Sequence, residues 1–130
     1  MPERKKILVV DDDKDLTRLI RLRLLKAGYD VFVVPDAVSA SQESKRFNPD
    51  LVILDMMLPA GGGGSVLRRL RSSLHTAYVP VLILSGISKD DPVYKEATNG
   101  LVVEGYLQKP FEEGTLLSEA ERILGETSPP

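Results

Sequence analysis

Ile7-Leu8-Val9-Val10-Asp11-Asp12-Asp13 is the stretch on which the fold turns. Its apolar residues follow one another instead of alternating with polar ones. That pattern suits a strand buried on both faces, as in a parallel sheet covered by helices on each side. Further apolar runs lie at Val31 to Val34, Leu51 to Leu54 and Val81 to Leu84, with a weaker one at Tyr106-Leu107. The segments between them carry apolar residues at helical spacing, so the chain reads as five strands alternating with helices.

Working outward, the first helix is expected to start near Asp13 or Lys14 and to stop at Gly28. It should turn Leu16, Leu19, Ile20 and Leu24 inward, leaving a basic face of Arg18, Arg21, Arg23 and Lys26. Asp36 is the expected N-cap of a second helix ending at Phe47, and Asn48-Pro49-Asp50 breaks the chain before the third strand. A third helix is expected from about Ser65 to Ser73, carrying Val66, Leu67 and Leu70. The fourth lies between Pro92 and Asn99-Gly100, and Leu116, Leu117, Ala120, Ile123 and Leu124 mark an amphipathic last helix closed by Gly125. Ala60-Gly61-Gly62-Gly63-Gly64-Ser65 reads as a mobile loop. It is no phosphate-cradling P-loop, since Ser65-Val66 stands where a lysine is required. Residues 126–130, ending Ser128-Pro129-Pro130, read as a C-terminal tail or the stub of a linker after one domain spanning 1–125.

Composition narrows the function. A chain of 130 residues is one domain's length and buries roughly two thirds of its unfolded surface, enough for a core without staples. There is no cysteine, which excludes disulfide frameworks and thiolate metal sites and fits a reducing, cytoplasmic setting. The only histidine is His75, which excludes His-rich metal sites. A net charge of −2 argues against a domain that binds nucleic acid directly. The apolar runs are too short to cross a bilayer, and the one after Met1-Pro2-Glu3-Arg4-Lys5-Lys6 is too short for a signal peptide.

In an open parallel sheet, functional groups gather at the carboxyl ends of the strands. Here those ends carry Asp11-Asp12-Asp13, Asp55, Ser85-Gly86 and Lys109-Pro110. Taken singly each has a bland role, and Asp13 is assigned that of a helix N-cap. Taken together, carboxylates converging on one edge repel one another unless a cation sits among them. All-oxygen ligands without His or Cys point to magnesium or manganese. Carboxylates, a small hydroxyl and a lysine are the groups that phosphoryl transfer to an aspartate requires.

Four segments carry a resemblance to a known family: Lys6-Ile7-Leu8-Val9-Val10-Asp11-Asp12-Asp13, Pro49-Asp50-Leu51-Val52-Ile53-Leu54-Asp55-Met56-Met57-Leu58-Pro59, Val79-Pro80-Val81-Leu82-Ile83-Leu84-Ser85-Gly86 and Gly105-Tyr106-Leu107-Gln108-Lys109-Pro110-Phe111. In this order they resemble the receiver domain of two-component response regulators. The resemblance implies an α/β fold, a flavodoxin-like, doubly wound sheet of five parallel strands in the order 2-1-3-4-5 with helices on both faces. It implies that Asp55 is phosphorylated by a sensor histidine kinase or phosphotransfer protein, in a reaction dependent on Mg2+. Asp12 and Asp55 would bind the ion directly, Asp11 largely through water, and Met57 through its backbone carbonyl. Ser85 would be the switch hydroxyl, Lys109 the partner of the phosphoryl group, and Tyr106 the aromatic whose rotamer tracks activation. The Lys109-Pro110 peptide bond is cis in that family. Such a domain is not a turnover enzyme: it takes up one phosphoryl group, slowly sheds it and passes the signal to a downstream effector or effector domain.

Other readings fit the residues less well. A phosphatase of the haloacid dehalogenase type also uses an aspartate nucleophile, but Lys14-Asp15 replaces its expected Thr or Val, and Glu112-Glu113 opens a helix where its late acidic pair belongs. A receiver-like module that has lost phosphorylation is disfavoured by the complete set Asp11, Asp12, Asp55, Ser85 and Lys109. A calcium loop over Asp11, Asp13 and Asp15 fails, because Leu16 stands where glycine is needed.

Overall fold

The computed structural model describes residues 4–58 and 62–125, the side chain of Glu113 excepted. Five strands alternate with five helices: β1 (Lys6–Val10), α1 (Lys14–Lys26), β2 (Asp30–Val34), α2 (Ala37–Phe47), β3 (Leu51–Asp55), α3 (Gly62–Ser72), β4 (Val81–Ser85), α4 (Pro92–Thr98), β5 (Gly105–Gln108) and α5 (Glu113–Leu124). All strand pairings are parallel, and the sheet order is β2-β1-β3-β4-β5. This is the doubly wound fold expected from the sequence.

Alternation along the strands sorts the core into two layers. Leu8, Val10, Val52, Leu54, Val81 and Ile83 face α2, α3 and α4, meeting Ala40, Val66, Leu67, Leu70 and Tyr94. Their neighbours Ile7, Val9, Leu51, Ile53, Leu82 and Leu84 face α1 and α5, meeting Ile20, Leu24, Leu116 and Ala120. Successive residues are apolar because both faces are covered. At the sheet edge β2 is half-exposed, and only its Val34 is buried.

The chain's punctuation follows local chemistry. Asp13 and Asp36 cap α1 and α2 by accepting the backbone N–H of Leu16 and Ser39 at 3.0 and 2.8 Å. Asp91 caps α4 ahead of Pro92, and Asn99 ends that helix in a left-handed conformation. Gly28 and Gly125 adopt positive φ just past α1 and α5.

Two expectations are corrected. Leu19 does not point inward: it is 51 % exposed, because the buried stripe of α1 runs through Thr17, Ile20 and Leu24 and leaves Leu19 on its rim. The helix does not start at Ser65: within the glycine-rich stretch, Gly62, Gly63 and Gly64 already belong to α3. Gly63 donates its N–H to the carbonyl of Met56 at 2.9 Å, and a Cβ there would lie 2.4 Å from the carbonyl oxygen of Asp55. Only glycine lets the helix start press this closely on the end of β3. Pro59, Ala60 and Gly61, and the expected tail at 126–130, lie outside the described residues.

Candidate functional site

The sheet order reverses between β1 and β3, where one connection runs outward to β2 and the others to β4 and β5. The register aligns the carboxyl ends there, pairing Val10 with Leu54, Asp55 with Leu84 and Ser85 with Gln108. The next residues stay in step: Met56 N–H donates to Leu84 O at 2.9 Å, and Lys109 N–H to Ser85 O at 2.7 Å. Asp11, Asp55, Ser85 and Lys109 are thus set by backbone pairing onto one edge. The Lys109-Pro110 peptide is cis, as the resemblance implied.

Lys109 sits between two carboxylates. Its Nζ donates to Asp11 Oδ2 at 2.9 Å and lies 3.6 Å from Asp55 Oδ1. Asp11 and Asp55 are almost wholly buried, whereas Asp12 is exposed. Oxygens of Asp11, Asp12 and Asp55 all lie within 4.8 Å of one another. Asp11 Oδ1 accepts the N–H of Asp13 at 3.0 Å and Asp55 Oδ1 that of Met57 at 3.1 Å, so the backbone orients both groups.

Burial raises the pKa of the Asp55 carboxyl, the Met57 N–H opposes this, the charge of Asp11 adds to it and that of Lys109 offsets part. For Lys109, burial alone would push the ammonium down, but the hydrogen bond and charge of Asp11, followed by Asp55 and Asp13, raise it overall. Lys109 is therefore a fixed cation, while the three carboxylates outnumber it. An all-oxygen cluster with excess negative charge suits a hard divalent cation such as magnesium.

Ser85 and Tyr106, the residues that the resemblance makes a switch, lie on the α3/α4 side. Ser85 is fully buried, and its Oγ accepts the N–H of Ile87 at 3.1 Å. Tyr106 donates its hydroxyl to the carbonyl of the same Ile87, and its ring meets that of Tyr94 edge-on, with centroids 5.2 Å apart. Met57, beside the phosphoacceptor candidate, turns its side chain to solvent.

Residues 7–121 match the family described as response regulator receiver domain. The chain belongs to that family. This receiver domain is 34 % identical over 122 residues to the DNA-binding dual master transcriptional regulator RpaA of Synechocystis sp., the match covering 94 % of this chain and 50 % of RpaA. It is 34 % identical over 120 residues to the alkaline phosphatase synthesis transcriptional regulatory protein PhoP of Bacillus subtilis, covering 92 % of this chain and 48 % of PhoP. The receiver domain thus spans about half the length of the curated relatives it matches. Among solved structures, the chemotaxis response regulator CheY4 of Vibrio cholerae superimposes with a TM-score of 0.84 at 26 % identity, covering 93 % of this chain and 99 % of CheY4. The receiver domain of sensor histidine kinase PA1611 from Pseudomonas aeruginosa, which has a magnesium ion coordinated in its active site cleft, gives 0.84 at 27 % identity, covering 95 % and 99 %.

Of the residues expected from the sequence, Asp11, Asp12, Asp55, Met57, Ser85 and Lys109 lie at this edge or on the loop beside it, whereas Tyr106 sits inside β5 opposite Ile83 and reaches towards the edge only through its hydroxyl. Two that bear on the site were missed. Gly63 looks like loop by composition, although its place eight residues after Asp55 keeps it near the end of β3. Tyr94 carries no motif of its own, and its signal is that Tyr94 and Ala97 share a helix face at i, i+3.

Proposed function

We propose that Asp55 accepts a phosphoryl group from a phosphohistidine on a sensor histidine kinase or phosphotransfer protein, in a magnesium-dependent reaction, and that the domain relays the event by changing conformation. The observation that carries this reading is the cluster of Asp11, Asp12 and Asp55 against the single ammonium of Lys109. Asp11, Asp12, Asp55 and the Met57 carbonyl would hold magnesium, which when bound supplies positive charge to the transferring phosphoryl oxygens. Asp55 Oδ1 is engaged by the Met57 N–H and the Lys109 ammonium, which leaves Oδ2 to attack phosphorus. An oxygen–phosphorus bond forms as the phosphorus–nitrogen bond of the donor breaks; the electron pair stays on that nitrogen, and with the other ring nitrogen of the donor already protonated the histidine leaves as neutral imidazole.

Lys109 then pairs with the phosphoryl oxygens, held at the site by Asp11. Ser85 Oγ accepts from Ile87 N–H, so its own proton is available to a phosphoryl oxygen. Drawing Ser85 toward that oxygen moves the Ile87 segment to which the Tyr106 hydroxyl is bonded, which makes Ser85 and Tyr106 the switch.

The donor would dock beside the site on α1, whose outer face exposes Leu19 and Leu22 among Arg18, Arg21 and Lys26. A cytoplasmic setting fits the cysteine-free composition. No helix among the described residues is long and apolar enough to cross a membrane. The signal passes to a downstream effector or effector domain, while this domain, with its net charge of −2, touches no nucleic acid itself.

Incubation with labelled acetyl phosphate tests the reading. We expect one label per chain and no more, dependent on magnesium and lost with chelator. Continuous turnover of a phosphomonoester would instead establish a phosphatase, and no label with any donor would establish a binding module.

A further inference from the structure

Two contacts of the helix α4 differ in character. On its inner face Tyr94 is buried and meets Tyr106 edge-on, the ring planes at 80°. One turn on, Ala97 lies against α3 at Gly64, so closely that a Cβ on Gly64 would stand 2.9 Å from the carbonyl oxygen of Ala97 and 3.4 Å from its Cβ. The first contact joins two rings, which can repack. The second sets backbone against backbone and cannot shorten. Gly64 also follows directly on Gly63, which rests on the backbone of Asp55 and Met56 and so ties this contact to the end of β3.

We infer that Tyr94 is the positioning residue through which α4 reads the orientation of Tyr106, with the Gly64–Ala97 contact as the fulcrum on which the helix turns. The inference rests on the reading of Tyr106 as a switch. When the Tyr106 ring moves, the edge of Tyr94 loses its partner and must follow or leave a void. The helix cannot slide toward α3, because Ala97 already abuts Gly64. With seven residues and a cap at each end, α4 is short enough to tilt as a unit about that point. The exposed side chain of Val93 and those of Lys95 and Glu96 then change their presentation on the surface.

The test follows backbone amide shifts of Met57 and of Lys95 to Ala97, together with tyrosine ring shifts, as magnesium and beryllofluoride are added to the wild type and to three variants. In the wild type the Met57, Tyr106 and α4 signals should all move. Tyr94→Leu keeps an apolar side chain but removes the ring, so Met57 and Tyr106 should still respond while the α4 shift is lost. Tyr94→Phe keeps the ring edge and should restore it. Gly64→Ala pushes α4 from α3 and should displace the Tyr106 ring signal before any phosphate mimic is added. An α4 response in Tyr94→Leu equal to that of the wild type overturns the inference, as does an unmoved Tyr106 signal in Gly64→Ala. A wild type whose Met57 amide shifts while α4 stays still overturns the inference and leaves the proposed function standing. A Met57 amide that never shifts overturns both.

Discussion

Replacing Gly63 by alanine should destabilise the domain, although alanine is the better helix former. In a free helix the change would favour folding by about 1 kcal/mol. Here the added Cβ would meet the carbonyl oxygen of Asp55 at 2.4 Å and the Cα of Met56 at 2.7 Å. The first contact is about 1 Å shorter than an ordinary carbon contact of roughly 3.5 Å. Both obstacles are backbone atoms at the end of a fully buried strand, so no side chain can rotate away. Overpacking of this kind costs about 1–3 kcal/mol, and rigid neighbours place Gly63→Ala near the top of that range, for a net loss of about 2 kcal/mol. With a urea slope of about 1–3 kcal/mol per molar, the unfolding midpoint should fall by roughly 1 M. Gly114, the second residue of α5, is the control: a Cβ there meets nothing within 4 Å. Gly114→Ala should raise the midpoint slightly, so one chemical change has opposite signs at two helix starts. A Gly63→Ala midpoint at or above that of the wild type would refute the close approach of α3 to Asp55.

Arg71 binds the carbonyl of Val79 at 2.7 Å and, with two nitrogens, that of Val102 at 3.1 and 2.9 Å, and pairs with Glu104 at 3.1 Å, joining the segments that lead into β4 and β5. Arg71→Ala should therefore lower unfolding stability by about 2–4 kcal/mol, and Arg71→Lys should recover less than half, because an ammonium cannot span these acceptors. Asp36 has its pKa lowered, first by the backbone N–H of Ser39 and then by that residue's side chain. Its cap contribution is thus present above the unfolded carboxylate value of about 3.9 and is lost as pH falls through the lowered folded value. Denaturation of Asp36→Ala against wild type should show the variant weaker at neutral pH, with the gap closing in acid. Met57 and Ile87 are apolar and flank the expected approach of water to phosphorus, so phospho-Asp55 should be long-lived, and Met57→Asn with Ile87→Glu should shorten the lifetime in a label-decay assay at constant magnesium.

The sheet was legible because its strands are covered on both faces, which leaves Ile7 to Val10, Leu51 to Leu54 and Val81 to Leu84 as unbroken apolar runs. The site was legible because parallel pairing brings every carboxyl end to one edge, so Asp11, Asp55, Ser85 and Lys109 meet although far apart in sequence. What escaped depends on contacts between elements. Gly62 to Gly64 look like a loop by propensity, and only the neighbouring backbone of β3 and α4 shows why glycine is needed there. Leu19 fits an apolar helix face as well as Ile20 does, and the placement of α5 decides which is covered. Arg71 reads as one charge among several on α3, and its carbonyl partners are loop atoms that no side-chain pattern reveals.

Intact-mass and peptide mass spectrometry of the wild type and Asp55→Asn, after incubation with acetyl phosphate and magnesium, tests the central claim most directly. The wild type should gain the mass of one phosphoryl group, located on the peptide containing Asp55, and Asp55→Asn should gain none. An undiminished modification in Asp55→Asn, or a modification located elsewhere in the wild type, would contradict Asp55 as the phosphoacceptor.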